Sequence, residues 1–192
     1  MNYFFDIGAN SGQAFDWFLC QTDRYDGCEV FLFEPSPRSL PVLMEKAKAM
    51  SSRFNVTILP FAVASASGTG RFNESVDSLC DSLQPRSLHN DLYNRPNKES
   101  GYNVIVATVS LSRFILDHTK PGDSIVMKLD AEGSEYGIIQ DLLDTPEALR
   151  RISEAWIEWH WISPDQKAER ELEQELMRRL NEAGCVARIW PY

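Results

Sequence analysis

The sequence predicts an α/β domain whose mostly parallel sheet carries helices on both faces. Three observations predict it: short apolar runs alternate with segments of helical periodicity, a glycine-rich turn follows the first run, and four runs end on acidic residues. Tyr3 to Ile7 opens the chain as a buried strand, ended by Gly8-Ala9-Asn10-Ser11-Gly12. Beyond that turn Phe15, Phe18 and Leu19 recur at helical spacing, which predicts a helix covering the sheet. Glu29 to Phe33 is the second strand, closed by Glu34-Pro35-Ser36-Pro37, and Leu40, Leu43, Met44 and Ala47 mark the apolar face of the next helix. Val56 to Leu59 is a third strand, which Phe61 to Ala64 continues past Pro60 toward a turn at 65–70.

Residues 73–101 break this rhythm with serines, asparagines, acids and prolines among scattered leucines. They predict a loop-like insertion, of a length that in compact domains tends to form lids or binding loops. Val104 to Val109 resumes as a strand, Leu111, Phe114 and Ile115 predict a short helix, and Ser124 to Leu129 is a strongly apolar strand closed by Asp130. Tyr136, Ile139, Leu142 and Leu143 mark another helix, and Ala155 to Trp161 another strand. A charged helix with Ala168, Leu172, Leu176 and Leu180 on its apolar face stops at Gly184, and Val186 to Trp190 is the last strand. Residues 1–192 are read as one domain.

That length, with 43 % hydrophobic residues, suffices for a single buried core. The 19 Lys and Arg against 28 Asp and Glu leave a net charge of −9, a field that repels phosphate backbones and anionic lipid, so neither nucleic acid nor a membrane is an expected partner. Cys20, Cys28, Cys80 and Cys185 form no CxxC pair and no metal-type spacing, which predicts free thiols and a cytoplasmic location. No run reaches the ~20 apolar residues of a membrane span, and the N-terminus lacks the layout of a secretion signal.

In an open α/β sheet, ligands sit beyond the carboxyl ends of the strands, near the switch in strand order. Asp6, Glu34, Asp130 with Glu132, and Glu158 with His160 end four strands there. The turn reads Asp6-x-Gly8-x-Asn10-x-Gly12, whereas a dinucleotide fingerprint reads G-x-G-x-x-G. An acid beside the turn opposes a pyrophosphate and suits a ligand with an ammonium group. A lone glycine turn serves equally as a tight connection, but Glu34 lies one βα unit later, where a carboxylate accepts from both ribose hydroxyls. Together these point to S-adenosylmethionine.

Five stretches resemble the FkbM-type S-adenosylmethionine-dependent methyltransferases and run in that family's order: residues 5–12, Phe33-Glu34-Pro35, Phe61-Ala62-Val63, Val126 to Glu135, and Ile157-Glu158-Trp159-His160. The Lys128-x-Asp130-x-Glu132-Gly133-x-Glu135 block is the most specific of them. The resemblance implies a Rossmann-like class I methyltransferase fold, with a seven-stranded sheet of order 3-2-1-4-5-7-6 and strand 7 antiparallel, and methyl transfer to a hydroxyl oxygen of a small molecule or glycan. It further implies that Asp6, Gly8, Asn10 and Gly12 line the methionine part of the cofactor, Glu34 the ribose, and Phe61 and Ala62 the adenine edge. Only five residues precede Asp6, where many relatives have a helical cover, so either the sequence is trimmed there or a partner chain or the 73–101 insertion is expected to supply the cover.

Methyl transfer from a sulfonium requires an aligned acceptor oxygen and removal of its proton. Asp130 and His160 are the candidate bases, His160 because its unperturbed pKa lies near neutrality. The bland alternative is a histidine held at a strand end between Trp159 and Trp161. Asp130, Glu132, Glu135, Glu158 and His160 also make an oxygen-rich set for a divalent cation, unless Glu132 and Glu135 cap the following helix. Lys128, on the Asp130 face of its strand, is read as an ion-pair partner. Trp156, Trp159 and Trp161 are read first as core, with Trp159 and Trp161 alternatively flanking a sugar or aromatic acceptor. His118, at a helix end, and His89, in the insertion, have no visible partner. Two other functions compete: a nucleotide-dependent oxidoreductase, which the turn opposes, and a cofactor-binding module without turnover.

Overall fold

The computed structural model describes residues 1–19, 27–74, 81–83, 103–161 and 165–191. Cys20, Cys80, His89 and most of the predicted insertion lie outside these residues. Strands β1 (Asn2–Ile7), β2 (Glu29–Phe33), β3 (Asn55–Leu59), β7 (Ser124–Leu129), β8 (Ile152–Ile157) and β9 (Val186–Ile189) form a six-stranded sheet of order β3-β2-β1-β7-β8-β9. Every pairing in it is parallel. The α/β class and the helices on both faces are as predicted. The seven-stranded order is corrected: β9 pairs directly with β8, and no antiparallel strand lies between them among the described residues.

Three further strands, β4 (Ala62–Ala64), β5 (Gly68–Asn73) and β6 (Asn103–Ser110), form a second sheet of order β4-β6-β5. Residues 62–64 therefore do not continue β3. Pro60 has no amide for the ladder, and the Phe61 amide donates to the Leu59 carbonyl at 2.8 Å, turning the chain out of the main sheet. The predicted turn at 65–70 overlaps β5, which pairs antiparallel with β6, and Asn73 at its end bridges to Ser82.

Helices cover both faces of the main sheet. On one face Phe4, Val30, Leu32 and Val126 pack against Phe15 and Phe18 of α1 (Gln13–Leu19) and Leu43 of α2 (Leu40–Met50). On the other, Phe5, Ile7, Ile125, Met127 and Leu129 meet α3 (Leu111–His118), α4 (Glu135–Leu143), α5 (Pro146–Leu149) and α6 (Gln166–Glu182). Phe residues dominate the seam: Phe5, Phe31, Phe33 and Phe114 contact one another with ring centroids 5.0–5.8 Å apart. β1 and β7 are the central pair of this sheet, and chain direction reverses its march across the sheet between them. The site lies at their carboxyl ends.

Candidate cofactor and acceptor site

The spacing of the glycine turn has a backbone cause. Gly8, Asn10 and Gly12 all adopt positive φ, at 74°, 47° and 83°, so alternate positions need glycine or the asparagine that tolerates this region. A Cβ on Gly8 would lie 1.8 Å from the Asp130 carbonyl oxygen, so the turn sits directly on the end of β7. The amides of Gly8 and Ala9 both donate to the Phe33 carbonyl (3.1 and 3.0 Å), and that of Gly12 donates to Ala9 (2.6 Å). The Asn10 amide donates to Glu34 Oε2 at 2.7 Å, and the Ser36 amide to Oε1 at 2.7 Å. Burial pushes the Glu34 carboxyl up to about 7 in spite of these two amides.

A cavity of about 760 Å³ opens over these strand ends. Of the predicted cofactor residues, Gly8, Asn10, Glu34, Phe61 and Ala62 line it, joined on the apolar side by Val63, Phe72 and Leu83. Asp6 and Gly12 stand behind the wall. Asp6 is wholly buried, neither of its carboxylate oxygens has a hydrogen-bond partner among the described residues, and Lys128 Nζ lies 3.6 Å away. That ammonium also donates to the Gly8 carbonyl and to Asp130 Oδ2, both at 3.0 Å. Burial works against its charge, but Asp6 and Asp130 outweigh it and hold the Lys128 pKa above its ordinary value. Lys128 thus ties β1 to β7 beneath the cavity, the ion-pair role read from its place on the strand. Gly12 gives room to Lys46, which donates to the Gly12 carbonyl at 3.0 Å and pairs with Asp16 at 2.7 Å.

The acidic strand ends meet around His160. Its Nδ1 is 3.2 Å from Glu135 Oε1 and 3.9 Å from Asp130 Oδ1, and its Nε2 is 3.6 Å from Glu132 Oε2 and 3.7 Å from Glu158 Oε1. Burial alone would lower the His160 pKa, but these carboxylates overcome it and push it up to about 10. That shift favours the protonated ring, the form that donates to the carboxylates around it. Burial, with Asp130 beside it, pushes the Glu158 carboxyl up to about 7. One ligand atom each from Asp130, Glu132 and His160 lies within 4.8 Å of the others, a mixed oxygen and nitrogen set that suits a divalent cation such as Mn²⁺. Glu135 is committed elsewhere, accepting from the Ala131 and Gly133 amides at 2.7 and 3.0 Å and so closing the loop before α4.

The tryptophans are redistributed. β8 ends at Ile157, so Trp159 and Trp161 do not continue the strand. Trp159 packs on Tyr136 in the core, Trp161 donates to Glu173 at 2.9 Å, and neither lines the cavity. Trp17 and Trp190 line it instead. Trp17 was legible as the position one helical turn beyond Gln13, on the face of α1 that continues the glycine turn. Trp190 carried no such signal, because its place depends on its amide bonding to Ile157 of β8 at 2.8 Å. Asp81 and Leu83 also reach the wall, held there by Ser82, whose hydroxyl donates to the Glu132 carbonyl at 2.6 Å. His118 stacks on Phe114 with ring centroids 4.0 Å apart and takes no part in the site.

A parallel sheet whose switch point carries a positive-φ turn, with a buried acid directly after β2, defines a Rossmann-like domain. Residues 6–185 match the family described as the methyltransferase FkbM domain. The chain belongs to that family, whose methyl donor is S-adenosylmethionine. Among solved structures it is similar to methyltransferase FkbM from Methylobacillus flagellatus KT, at 15 % identity and a TM-score of 0.46. The match covers 80 % of this chain and 33 % of that one, so the chain spans about a third of that relative's length. No curated protein sequence matches it significantly.

Proposed function

We propose that this single domain binds S-adenosylmethionine in the cavity and methylates a hydroxyl of a small molecule or glycan. The observation that carries the reading over a dinucleotide enzyme is the use of the turn's own amides. Four of its five, those of Gly8, Ala9, Asn10 and Gly12, are spent on Phe33, Ala9 and Glu34, which leaves little of the turn to a pyrophosphate. Glu34 would receive the ribose hydroxyls, Gly8 and Asn10 the amino-acid end, and Phe61, Ala62, Val63 and Phe72 the adenine. Asp6 acts from behind by fixing Lys128, and Gly12 by admitting Lys46.

When bound, S-adenosylmethionine supplies a methyl group already activated on a sulfonium. The chain must orient the acceptor hydroxyl and take its proton. Asp130 is our candidate for the proton acceptor, because it lines the cavity and the Lys128 ammonium holds it in place. His160 positions it, its imidazolium keeping Asp130, Glu132 and Glu158 together. A divalent cation on Asp130, Glu132 and His160 would displace the ring proton and serve the same end by lowering the pKa of a bound hydroxyl. The free, buried thiols of Cys28 and Cys185 support a reducing, cytoplasmic setting, and no helix among the described residues is long and apolar enough to cross a membrane.

Calorimetric titration tests the cofactor. S-adenosylmethionine and S-adenosylhomocysteine should bind and NAD should not, and Glu34→Ala should weaken binding by at least about a hundredfold, the equivalent of two lost charge-assisted hydrogen bonds. Binding of NAD in place of the sulfur ligands sinks the reading. With an acceptor in hand, Asp130→Asn should abolish turnover while cofactor affinity stays within a few fold.

A further inference from the structure

The cavity has two ends, and the cofactor residues account for one of them. Glu34, Phe61, Ala62 and Phe72 belong to the side of β2 and the second sheet, whereas Trp17, Glu158, His160 and Trp190 belong to the side of β8 and β9. At this second end Trp17 is half-buried and held edge-on by two other indoles. Its ring centroid is 5.1 Å from that of Trp156 at an interplanar angle of 64°, and 5.1 Å from that of Trp190 at 82°. Trp156 and Trp190 are themselves 6.2 Å apart and perpendicular, so the plane of Trp17 is fixed before any ligand arrives. The main chain fixes the cluster in turn: Trp156 lies in register with Lys128 and Arg188, and the Trp190 amide is bonded to β8.

The charged groups at this end are mostly acidic, with Lys128 and His160 the cations that share the wall with them. Asp16, Asp130, Glu132 and Glu158 line the wall. The neighbouring cations are engaged: Lys46 by Asp16, Lys128 by Asp6 and Asp130, and His160 by the four carboxylates around it. A phosphate or carboxylate on the acceptor would enter a field of its own sign, with no unengaged cation among the described residues of the wall to meet it. A ring that carries hydroxyl donors and one apolar face meets carboxylate acceptors on its edge and an indole on its face.

We infer that Trp17 is the platform on which an uncharged, hydroxylated ring of the acceptor stacks, and that the surrounding carboxylates reject anionic acceptors. This rests on the methyltransferase reading of the cavity and narrows its substrate class to neutral glycosides. The test is saturation-transfer NMR on the full chain with S-adenosylhomocysteine at saturation. The probes are methyl glucoside, methyl mannoside, glucuronate and a hexose phosphate, and S-adenosylhomocysteine affinity is measured separately by calorimetry for every variant. The methyl glycosides should give signal and the two anions none. Trp17→Ala should weaken glycoside binding about three- to tenfold with S-adenosylhomocysteine affinity within twofold, and Trp17→Phe should recover most of it. Equal binding of the anions, an unchanged Trp17→Ala variant, or no glycoside signal in a protein that binds S-adenosylhomocysteine overturns the inference and leaves the cofactor reading standing. Failure of S-adenosylhomocysteine itself to bind overturns both.

Discussion

Gly8 joins two constraints at one Cα: a φ of 74° and an approach to the Asp130 carbonyl that leaves no space for a methyl group. Gly8→Ala should therefore cost at least about 3 kcal/mol in urea unfolding, more than an exposed glycine at the same φ would. Glu34 supplies a pH dependence. Its carboxyl sits near 7 in the folded chain against an ordinary 4.5, raised by burial and by Asp81 and Asp6, and opposed by the Asn10 and Ser36 amides. The folded state therefore holds this proton more tightly than the unfolded one. That contribution to stability is complete below about pH 4.5 and is lost as pH rises through about 7. The melting temperature of the ligand-free protein should carry a falling component across that window, flattened in Glu34→Gln. Ribose hydroxyls donate to the ionised form, so S-adenosylhomocysteine affinity should climb by up to about tenfold per pH unit below 7 and level off above it, as calorimetry at a series of pH values would show. At this scale the sequence was informative wherever backbone and chemistry demand the same residue. The turn, Glu34 and Asp130 stood out because few other residue types meet both demands. The set around His160 was legible as a group, but the distance at which the segment 130–135 meets the segment 158–160, and with it the upward shift of the His160 pKa, was not.

Ser110 ends β6 and caps α3, its hydroxyl accepting from the Arg113 amide at 3.2 Å and donating to Asp141 Oδ2 of α4 at 3.0 Å. Asp141 also accepts from the Ser112 amide and hydroxyl, at 3.2 and 2.9 Å, so one carboxylate joins the start of α3 to α4. Asp141→Ala should cost about 1–3 kcal/mol by denaturant titration and leave cofactor affinity unchanged, because the contact lies outside the cavity wall. Elements with strong apolar periodicity, such as β1, β2, β7 and α6, are those most readily seen in the residues. β5 was obscured because Gly-Thr-Gly-Arg-Phe-Asn reads as turn chemistry, and only the antiparallel register with β6 makes it a strand. The excess length assigned to β8 has the converse cause: Trp159 and Trp161 have strand propensity, but the strands beside them, β7 and β9, end level with Ile157.

Across the whole molecule the site depends on contacts remote in sequence: Lys128 with Gly8, Ser82 with Glu132, His160 with Glu135. Ligand binding should therefore be felt globally. S-adenosylhomocysteine at a hundred times its dissociation constant should stabilise the chain by about 2.7 kcal/mol, read as a rise in melting temperature that Glu34→Ala abolishes at the same concentration. Such contacts are illegible in a single sequence, where 120 positions separate Gly8 from Lys128. The loop from Asp130 to Glu135 is held by the chain's own groups: Glu135 accepts from the Ala131 and Gly133 amides, Ser134 bonds back to Ala131, and Ser82 grips the Glu132 carbonyl. A wall braced by the chain's own hydrogen bonds does not have to be built by whichever ligand comes first. This loop accordingly imposes no sequence of arrival: on the proposed methyltransferase reading, donor and acceptor should each associate with the free protein in a single kinetic phase, and initial rates should follow a random order of addition.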